Sequence, residues 1–199
     1  MKTKFLMVRH ATCAHIDDTL LGRTLDASLD ANGERQAHML AERLRNEAPL
    51  RVESSPRRRT LQTAHAIADA LRCDVQVAPA LDELDFGNWS GRTFEQLERE
   101  RGWRRWNRNR DDARTPAGID IRTVQRGIAL HLAALAATYA GATLVLVTHA
   151  EIIRSLVLHC LRAPARDYAR FALDPASITC FTFDAGGLHV GTVNEGVAP

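Results

Sequence analysis

The chain has 199 residues, of which 45% are hydrophobic and 25% are charged, and its formal net charge at pH 7 is +2. This length and composition predict a single globular domain over residues 1–199 that buries most of its apolar surface without crosslinks. So small a net charge gives no strong general attraction to nucleic acid or to a membrane.

The sequence also indicates the compartment and the use of cysteine. No run approaches 18 apolar residues and the N-terminus lacks the apolar core of a signal peptide, so we expect a cytoplasmic protein without membrane partners. The four cysteines stand far apart, which favours reduced thiols over a zinc cluster or a disulfide framework. They are Cys13, Cys73, Cys160 and Cys180.

An apolar run near the N-terminus ends abruptly in two basic residues. Phe5 to Val8 predict a buried strand, and Arg9 and His10 follow it directly. Reactive groups in open α/β sheets collect just past the carboxyl ends of the strands, so both residues are candidates for a functional site.

A polar loop over Cys13 to Leu29 separates this strand from a predicted helix. The Asp30 side chain can cap the helix, and Pro49 ends it. The apolar residues of the helix recur at helical spacing: Ala37, Leu40, Ala41 and Leu44.

A second short strand, Leu50 to Ser54, leads into a helix that begins after Pro56. Arg59 falls in the first turn of this helix, so we expect it near the carboxyl edge of the sheet. Arg57 and Arg58 are expected to be solvated, because exposure is the default for charged side chains. The apolar face of the helix comprises Leu61, Ala64, Ile67, Ala68 and Leu71.

A third strand, Val75 to Ala78, is predicted before a loop that contains Glu83. Two glycines around a tryptophan favour a tight loop over Leu81 to Gly91 rather than regular structure. The following segment, at about 92–117, is an excursion with a helix from Thr93.

The C-terminal part repeats the arrangement of a strand that ends in a histidine. Thr143 to Val147 predict a buried strand, and His149 follows it closely. A long amphipathic helix with Ile121, Val124, Ile128, Leu132 and Leu135 precedes this strand, and a helix from Ala150 follows it. Ile178 to Asp184 and Leu188 to Val193 flank Ala185-Gly186-Gly187, which is typical of a hairpin.

Strands alternating with helices predict an α/β fold, a three-layer α/β/α sandwich with a mostly parallel central sheet and an antiparallel edge. Such a sheet would bring His10 and His149 to one crevice. Each histidine could instead be a lone strand-end residue bonded to backbone. Their joint appearance beside Arg9 favours a common site.

The candidate residues at this edge are suited to an anion. Arginine's planar fork matches phosphate oxygens, and histidine changes charge near neutral pH. A histidine nitrogen is also a nucleophile toward phosphorus, and a nearby carboxyl group can protonate the leaving oxygen. The set comprises Arg9, His10, Arg59, Glu83 and His149. It predicts phosphoryl transfer, which depends mostly on positioning and charge stabilisation.

These residues carry a resemblance to the histidine phosphatase superfamily, which has the phosphoglycerate-mutase-like fold. The R-H-G motif of the family appears as Arg9-His10-Ala11, and its S-S-P-x-x-R-x-x-Q-T motif matches Ser54 to Thr63. Three further motifs match, in the family's order, at Asp26 to Ala37, Leu81 to Gly91 and Val147 to Arg154.

The resemblance implies a role for each core residue. It implies that His10 becomes transiently phosphorylated, while Arg9, Arg59 and His149 hold the phosphoryl group. It also implies that Glu83 acts first as an acid on the leaving oxygen and then as a base on water.

The resemblance further implies that neither a metal nor another cofactor takes part. The histidines lack a metal-ligand spacing such as H-E-x-x-H, which agrees with this expectation. Gly22 and Arg23, in the polar loop, are further candidates for binding the substrate, which we expect to be a small phosphorylated metabolite. The sequence predicts no oligomeric state.

The chain departs from the family pattern at three places. Alanine replaces glycine at Ala11 and Ala150, so the backbone there must tolerate a β-carbon. Glu151 adds a carboxylate beside the second histidine, where it could weaken anion binding or point to solvent. The family's P-x-G-E-S segment is altered over Pro116 to Asp120.

The excursion at about 92–117 allows three interpretations. Six arginines between positions 99 and 110 interleave with Trp103 and Trp106, a combination that nucleic-acid platforms use. The net charge and the composition do not support a nucleic-acid partner. We favour a mobile cover over the phosphate pocket; the remaining alternative is a helix whose tryptophans pack inward while its arginines face water.

Three functions remain open within the resemblance. The chain resembles small phosphatases, such as α-ribazole-5′-phosphate, phosphoserine and broad-specificity phosphatases, and we predict a phosphomonoester hydrolase. A cofactor-dependent phosphoglycerate mutase is the alternative, although such mutases are usually longer. A pseudoenzyme that only binds phosphorylated ligands is the third possibility.

Overall fold

A six-stranded sheet with helices on both faces makes up the computed structural model, which describes residues 1–197. The strands run in the order β3-β2-β4-β1-β5-β6. The first four are mutually parallel, β5 is antiparallel to β1, and β6 is antiparallel to β5, so the predicted sheet with an antiparallel edge is confirmed. The strands are β1 (Thr3–Arg9), β2 (Arg51–Ser54), β3 (Val75–Val77), β4 (Thr143–Thr148), β5 (Ile178–Asp184) and β6 (Gly187–Val190).

The alternation of side chains along β1 produces the three layers. Successive residues of a strand point to opposite faces, so Phe5 and Met7 pack on one side while Leu6 and Val8 pack on the other. All four are buried, because helices cover both faces of the sheet.

Helices α1 (Ala31–Arg45) and α2 (Arg58–Leu71) cover the face of Leu6 and Val8. As predicted, Asp30 caps α1, and its Oδ1 accepts a hydrogen bond of 2.7 Å from the backbone N–H of Gly33. The predicted apolar stripe of α1 is buried in this layer.

Helices α5 (Ile121–Thr138) and α6 (Ala150–Cys160) cover the opposite face. Asp120 caps α5 by accepting from the Thr123 N–H at 2.8 Å. His149 is the residue before the first turn of α6, so the positive end of that helix lies beside the carboxyl edge of the sheet.

The excursion forms two short helices, α3 (Phe94–Glu98) and α4 (Arg101–Arg108). Trp106 is completely buried and Trp103 nearly so, whereas Arg101, Arg104 and the other arginines of α4 are exposed. The interpretation with inward tryptophans and outward arginines is therefore confirmed for α4. Just beyond α4, Arg110 departs from this pattern and is buried.

The C-terminal hairpin is also confirmed, with one correction to its bounds. β6 covers Gly187–Val190 rather than the predicted Leu188 to Val193. Its ladder with β5 ends at the pair Phe181 and Val190, and the following residues are irregular. At the start of β6, Gly187 has a φ of +103°, a conformation that favours glycine.

Within residues 1–197, no helix is long and apolar enough to span a membrane.

Candidate active site

The register between β1 and β4 brings the two histidines together. Arg9 pairs with Thr148 in a parallel ladder, so His10 and His149 each lie one residue beyond the last pair. The His10 N–H continues the ladder by donating to the Thr148 carbonyl at 3.0 Å. The ring centroids are 5.4 Å apart, and the two rings meet edge to face.

Arg59 connects the two histidines. Its Nε donates to His10 Nε2 at 3.3 Å, and its Nη2 lies 3.2 Å from His149 Nδ1. A guanidinium group can only donate, so both of these ring nitrogens present lone pairs. Arg59 is 1% exposed, and Nη2 also donates to the Gly22 carbonyl at 3.0 Å.

The hydrogen bonds of His10 leave Nε2 unprotonated. Its Nδ1 lies 2.8 Å from the Ala11 carbonyl oxygen, which requires a proton on Nδ1. Burial lowers the pKa of His10 well below its usual value, and the charges of Arg59 and Arg9 lower it further. A neutral imidazole with an unprotonated Nε2 is the form of histidine that can act as a nucleophile.

His149 has an equally defined orientation. Its Nε2 lies 2.8 Å from Ser55 Oγ, and that hydroxyl lies 3.4 Å from Asp82 Oδ1. Because Nδ1 accepts from Arg59, we assign the proton to Nε2, which donates to Ser55. Burial and the Arg59 charge lower the pKa of His149 well below its usual value, so its imidazole is neutral at pH 7.

Glu83 lies beside His149, and its carboxyl group is partly protonated near neutral pH. Its Oε2 is 3.6 Å from His149 Nδ1, and its Oε1 accepts from the Leu84 N–H at 2.9 Å. Burial raises its pKa to about 7, although the Arg59 charge opposes the rise and the Glu151 charge adds to it. A carboxyl group with such a pKa can give a proton to a leaving oxygen and later accept one from water.

Arg9 contributes a second guanidinium group at the same edge. Its Nη1 donates to the Leu173 carbonyl, while its buried Nε has no hydrogen-bond partner among residues 1–197. A buried donor without a partner is costly, so Arg9 is suited to an anion that supplies one.

All five candidate site residues predicted from the sequence therefore meet at one edge of the sheet. Gly22 belongs to this group through its contact with Arg59; a β-carbon there would lie 2.3 Å from Ser90 Oγ, which explains the glycine. Arg23 is exposed and donates to the Glu83 carbonyl, so it contacts the backbone of the candidate acid. Substrate binding by Gly22 and Arg23 stays a prediction.

The expectation that Arg57 is solvated is wrong, and one of the two alternatives for Glu151 is excluded. Arg57 is half-buried rather than solvated, because its guanidinium contacts both oxygens of the buried Asp82 carboxylate at 2.8 and 2.9 Å. Glu151 does not simply point to solvent, because it forms ion pairs with Arg110 and Arg154. Arg58 is exposed, as predicted.

The sequence assigned no individual role to Ser55, which contacts Nε2 of His149, or to Asp82, which lies within reach of the Ser55 hydroxyl. The position of Ser55 just after β2, at the edge where the other site residues lie, could have indicated it as a site residue. Asp82, one residue before Glu83, also accepts from the Glu83 N–H at 2.8 Å, so it supports the histidine and the acid together.

The two alanines that replace family glycines fit their places without strain. Ala150 is the first residue of α6, and neither it nor Ala11 is among the residues with positive φ in the described part of the chain. The buried Ala11 also donates its N–H to Thr63 Oγ1 at 3.1 Å.

The described residues include no group of three or more histidine, cysteine, aspartate or glutamate side chains that could hold a metal ion. Arg9 and Arg59 supply positive charge at this edge.

The fold and the arrangement of the site residues agree with the family to which the sequence matches. The family profile of the histidine phosphatase superfamily (branch 1) matches residues 5–196. The chain therefore belongs to the histidine phosphatase superfamily, which confirms the predicted family and enzyme class.

Particular relatives refine the comparison. A protein named probable phosphoglycerate mutase GpmB from Enterobacter sp. (strain 638) is 34% identical over 175 residues, which are 87% of this chain and 81% of the relative. A phosphoserine phosphatase mutant from Entamoeba histolytica, solved in complex with phosphoserine, has a TM-score of 0.88 at 27% identity and 96% coverage of both chains.

A mycobacterial glucosyl-3-phosphoglycerate phosphatase has the same fold. Its TM-score is 0.86 at 23% identity, and the match covers 98% of this chain and all of that one. The predicted phosphoglycerate-mutase-like architecture is thus confirmed.

Proposed function

We propose that this protein hydrolyses phosphomonoesters of small metabolites through a phosphohistidine intermediate on His10. The main support for this proposal is the contact of Arg59 with both His10 Nε2 and His149 Nδ1. A buried guanidinium at this point attracts a phosphate dianion to the nucleophile, and it selects the lone-pair form of that nucleophile before the substrate arrives.

In the first step, His10 Nε2 attacks phosphorus while the ester P–O bond breaks. Glu83 gives its proton to the leaving oxygen, which departs as an alcohol. Arg59 and Arg9 balance the charge on the phosphoryl oxygens, as phosphoryl transfer requires.

His149 changes its protonation state when the substrate binds. A phosphate dianion places negative charge beside the imidazole, which favours the protonated form. Nδ1 then donates to a phosphoryl oxygen while Nε2 keeps its hydrogen bond to Ser55.

In the second step, the Glu83 carboxylate takes a proton from water. The water oxygen attacks phosphorus, the P–N bond to His10 breaks, and inorganic phosphate leaves. Glu83 is again protonated and His10 again neutral, so the cycle closes. Arg9, Arg59 and the protonated His149 supply the positive charge, and we propose that no metal takes part.

The phosphoglycerate mutase is a second candidate because of the relative named GpmB. A mutase must protect its phosphohistidine from water until it rephosphorylates the bound acid, which requires a closed cover. The excursion of this chain offers only two short helices, so we favour hydrolysis.

Product analysis separates these candidates. In the presence of a chelator, the enzyme is expected to release inorganic phosphate from several phosphomonoesters. Interconversion of 3- and 2-phosphoglycerate is expected to be slow and to gain little from added 2,3-bisphosphoglycerate. Rapid, bisphosphoglycerate-dependent isomerisation with negligible phosphate release would overturn the proposal, and release from no ester at all would indicate a pseudoenzyme.

The raised pKa of Glu83 predicts a distinctive pH dependence. Below its pKa of about 7 the carboxyl group carries the proton that an alkyl leaving group needs, and above it this proton is lost. Hence kcat/KM for glycerol 3-phosphate, corrected for the ionisation of the substrate, is expected to fall as pH rises through about 7. A constant value across this range would contradict the assignment of Glu83 as the acid.

A further inference from the structure

A buried serine contacts the ring nitrogen of His149 that Arg59 leaves free. Ser55 follows β2 directly and is completely buried, as is His149. The Ser55 Oγ lies 2.8 Å from His149 Nε2, whereas Arg59 Nη2 lies 3.2 Å from His149 Nδ1. These two contacts, one at each nitrogen, set the orientation of the imidazole.

Asp82 lies behind Ser55 as a fixed carboxylate. Its Oδ1 is 3.4 Å from Ser55 Oγ and accepts from Arg57 Nε and from the Glu83 N–H, each at 2.8 Å. Its Oδ2 accepts from Arg57 Nη2 at 2.9 Å. A bidentate guanidinium fixes the position of a carboxylate, so Asp82 is held within reach of the Ser55 hydroxyl.

The donors and acceptors along these three residues have a defined order. Nδ1 of His149 accepts from Arg59, so Nε2 carries the proton and donates it to Ser55 Oγ. The hydroxyl hydrogen of Ser55 is then available to Asp82, whose carboxylate can only accept. Each of the three groups can therefore satisfy its neighbour.

We propose that Ser55 and Asp82 are positioning residues that allow His149 to carry two protons when a phosphate dianion occupies the site. This inference rests on the proposed function, because it takes the dianion to bind beside Nδ1. Nδ1 must then donate rather than accept. Without an acceptor at Nε2, the imidazole could transfer its single proton to Nδ1 and stay neutral. With Ser55 and Asp82 in place, Nε2 keeps its proton, Nδ1 takes up a second one from water, and the bond to phosphate becomes charge-assisted.

The surroundings of His149 explain why this support is needed. Burial lowers the pKa of His149 well below its usual value, and nearby positive charges lower it further. On the Nδ1 side, Glu83 Oε2 lies at 3.6 Å, and a bound dianion would add negative charge there. On the Nε2 side, Asp82 supplies the negative charge. The groups whose positive charge disfavours protonation are Arg59, His10, Arg57 and Arg9.

Nitrogen NMR of histidine-labelled enzyme tests the inference, with inorganic phosphate as the ligand because it is not turned over. The signals of His149 are assigned by their loss in His149→Asn. At pH 7 and saturating phosphate, both nitrogens of His149 are expected to be protonated in the wild type. In Ser55→Ala, only Nδ1 is expected to be protonated. A singly protonated His149 in the phosphate-bound wild type, or a doubly protonated one in folded Ser55→Ala, would overturn the inference.

The ligand-free enzyme supplies a measurement that does not depend on turnover. Its His149 is expected to carry one proton, on Nε2, and a proton on Nδ1 instead would overturn the inference. His149 signals that do not respond to phosphate would contradict the proposed function and this inference with it. Phosphate release by a wild type whose His149 stays singly protonated would overturn this inference alone. These measurements need no variant of Ser55, so they remain decisive if such a variant does not fold.

Kinetics provides a second readout. Ser55→Ala is expected to lower kcat/KM for phosphomonoesters by about 10-fold, because a neutral hydrogen bond replaces a charge-assisted one. Ser155→Ala is the matched control: it removes the hydroxyl of another buried serine, whose Oγ donates to the Glu151 carbonyl at 2.6 Å. Its kcat/KM and its His149 signals are expected to match the wild type. An unchanged kcat/KM in folded Ser55→Ala would contradict the inference.

Asp82→Asn separates the charge from the hydrogen bond. The amide oxygen still accepts from Ser55, but the negative charge behind the hydroxyl is lost. With saturating phosphate, His149 is expected to carry a single proton in this variant at pH 7. Two protons in the folded variant would overturn the role of Asp82.

Discussion

Replacement of Arg59 by methionine is expected to lower kcat/KM for every phosphomonoester by about 10³-fold or more, the range seen when an arginine that stabilises a phosphoryl group is removed. Methionine keeps much of the buried length of the side chain but loses the donors to His10, His149 and Gly22. The loss is measured by steady-state phosphate release.

The neighbouring residue provides the control for Arg59. Arg58→Met changes the same residue type one position earlier on α2, where the side chain is exposed, and is expected to retain activity. Arg59→Lys keeps a charge but lacks the planar fork, so a large loss is expected there too. Less than a 10-fold loss in both folded Arg59 variants would show that the guanidinium is not the phosphate-binding group.

The Glu83→Gln variant is expected to lose more activity with a poor leaving group than with a good one. For an alkyl phosphate, formation of the phosphoenzyme is expected to slow by about 10²–10⁴-fold, the usual contribution of general acid catalysis. Nitrophenolate leaves without much help, so the same step with nitrophenyl phosphate is expected to lose much less. Rapid-mixing measurements of the first turnover report this step for both substrates.

Glu42→Gln serves as the control for Glu83, because Glu42 is exposed on α1 and its one ion pair within residues 1–197 is with Arg45 at 3.3 Å. Its rates with both substrates are expected to match those of the wild type. An equal loss on both substrates in Glu83→Gln would indicate that Glu83 supports the structure of the site rather than protonating the leaving group.

Local sequence patterns predicted much of the fold. The buried strands β1 and β4 are continuous apolar runs, and the capped helix α1 shows the expected spacing from Asp30 to Leu44. Because reactive residues collect past the carboxyl ends of strands, His10 and His149 were predicted to lie at one edge of the sheet. The register that makes them neighbours, Arg9 beside Thr148, depends on packing across the sheet and has no local signal.

The sequence does not predict the burial of charged residues whose partners are distant in the chain. Arg57 pairs with Asp82, 25 residues away, and Arg110 pairs with Glu151, 41 residues away. Charged side chains are usually solvated, so a sequence alone favours exposure for each of them. Only the folded chain brings a counterion close enough to compensate for burial.

Trapping of the phosphoenzyme shows whether His10 carries the phosphoryl group. Enzyme mixed with a labelled phosphomonoester and quenched in base is expected to retain acid-labile label that maps to His10 by mass spectrometry. The label is expected to be absent from His10→Ala and to accumulate when hydrolysis of the intermediate is slowed. Label on a serine, an aspartate or His149, or turnover by a folded His10→Ala variant at the wild-type rate, would contradict the account.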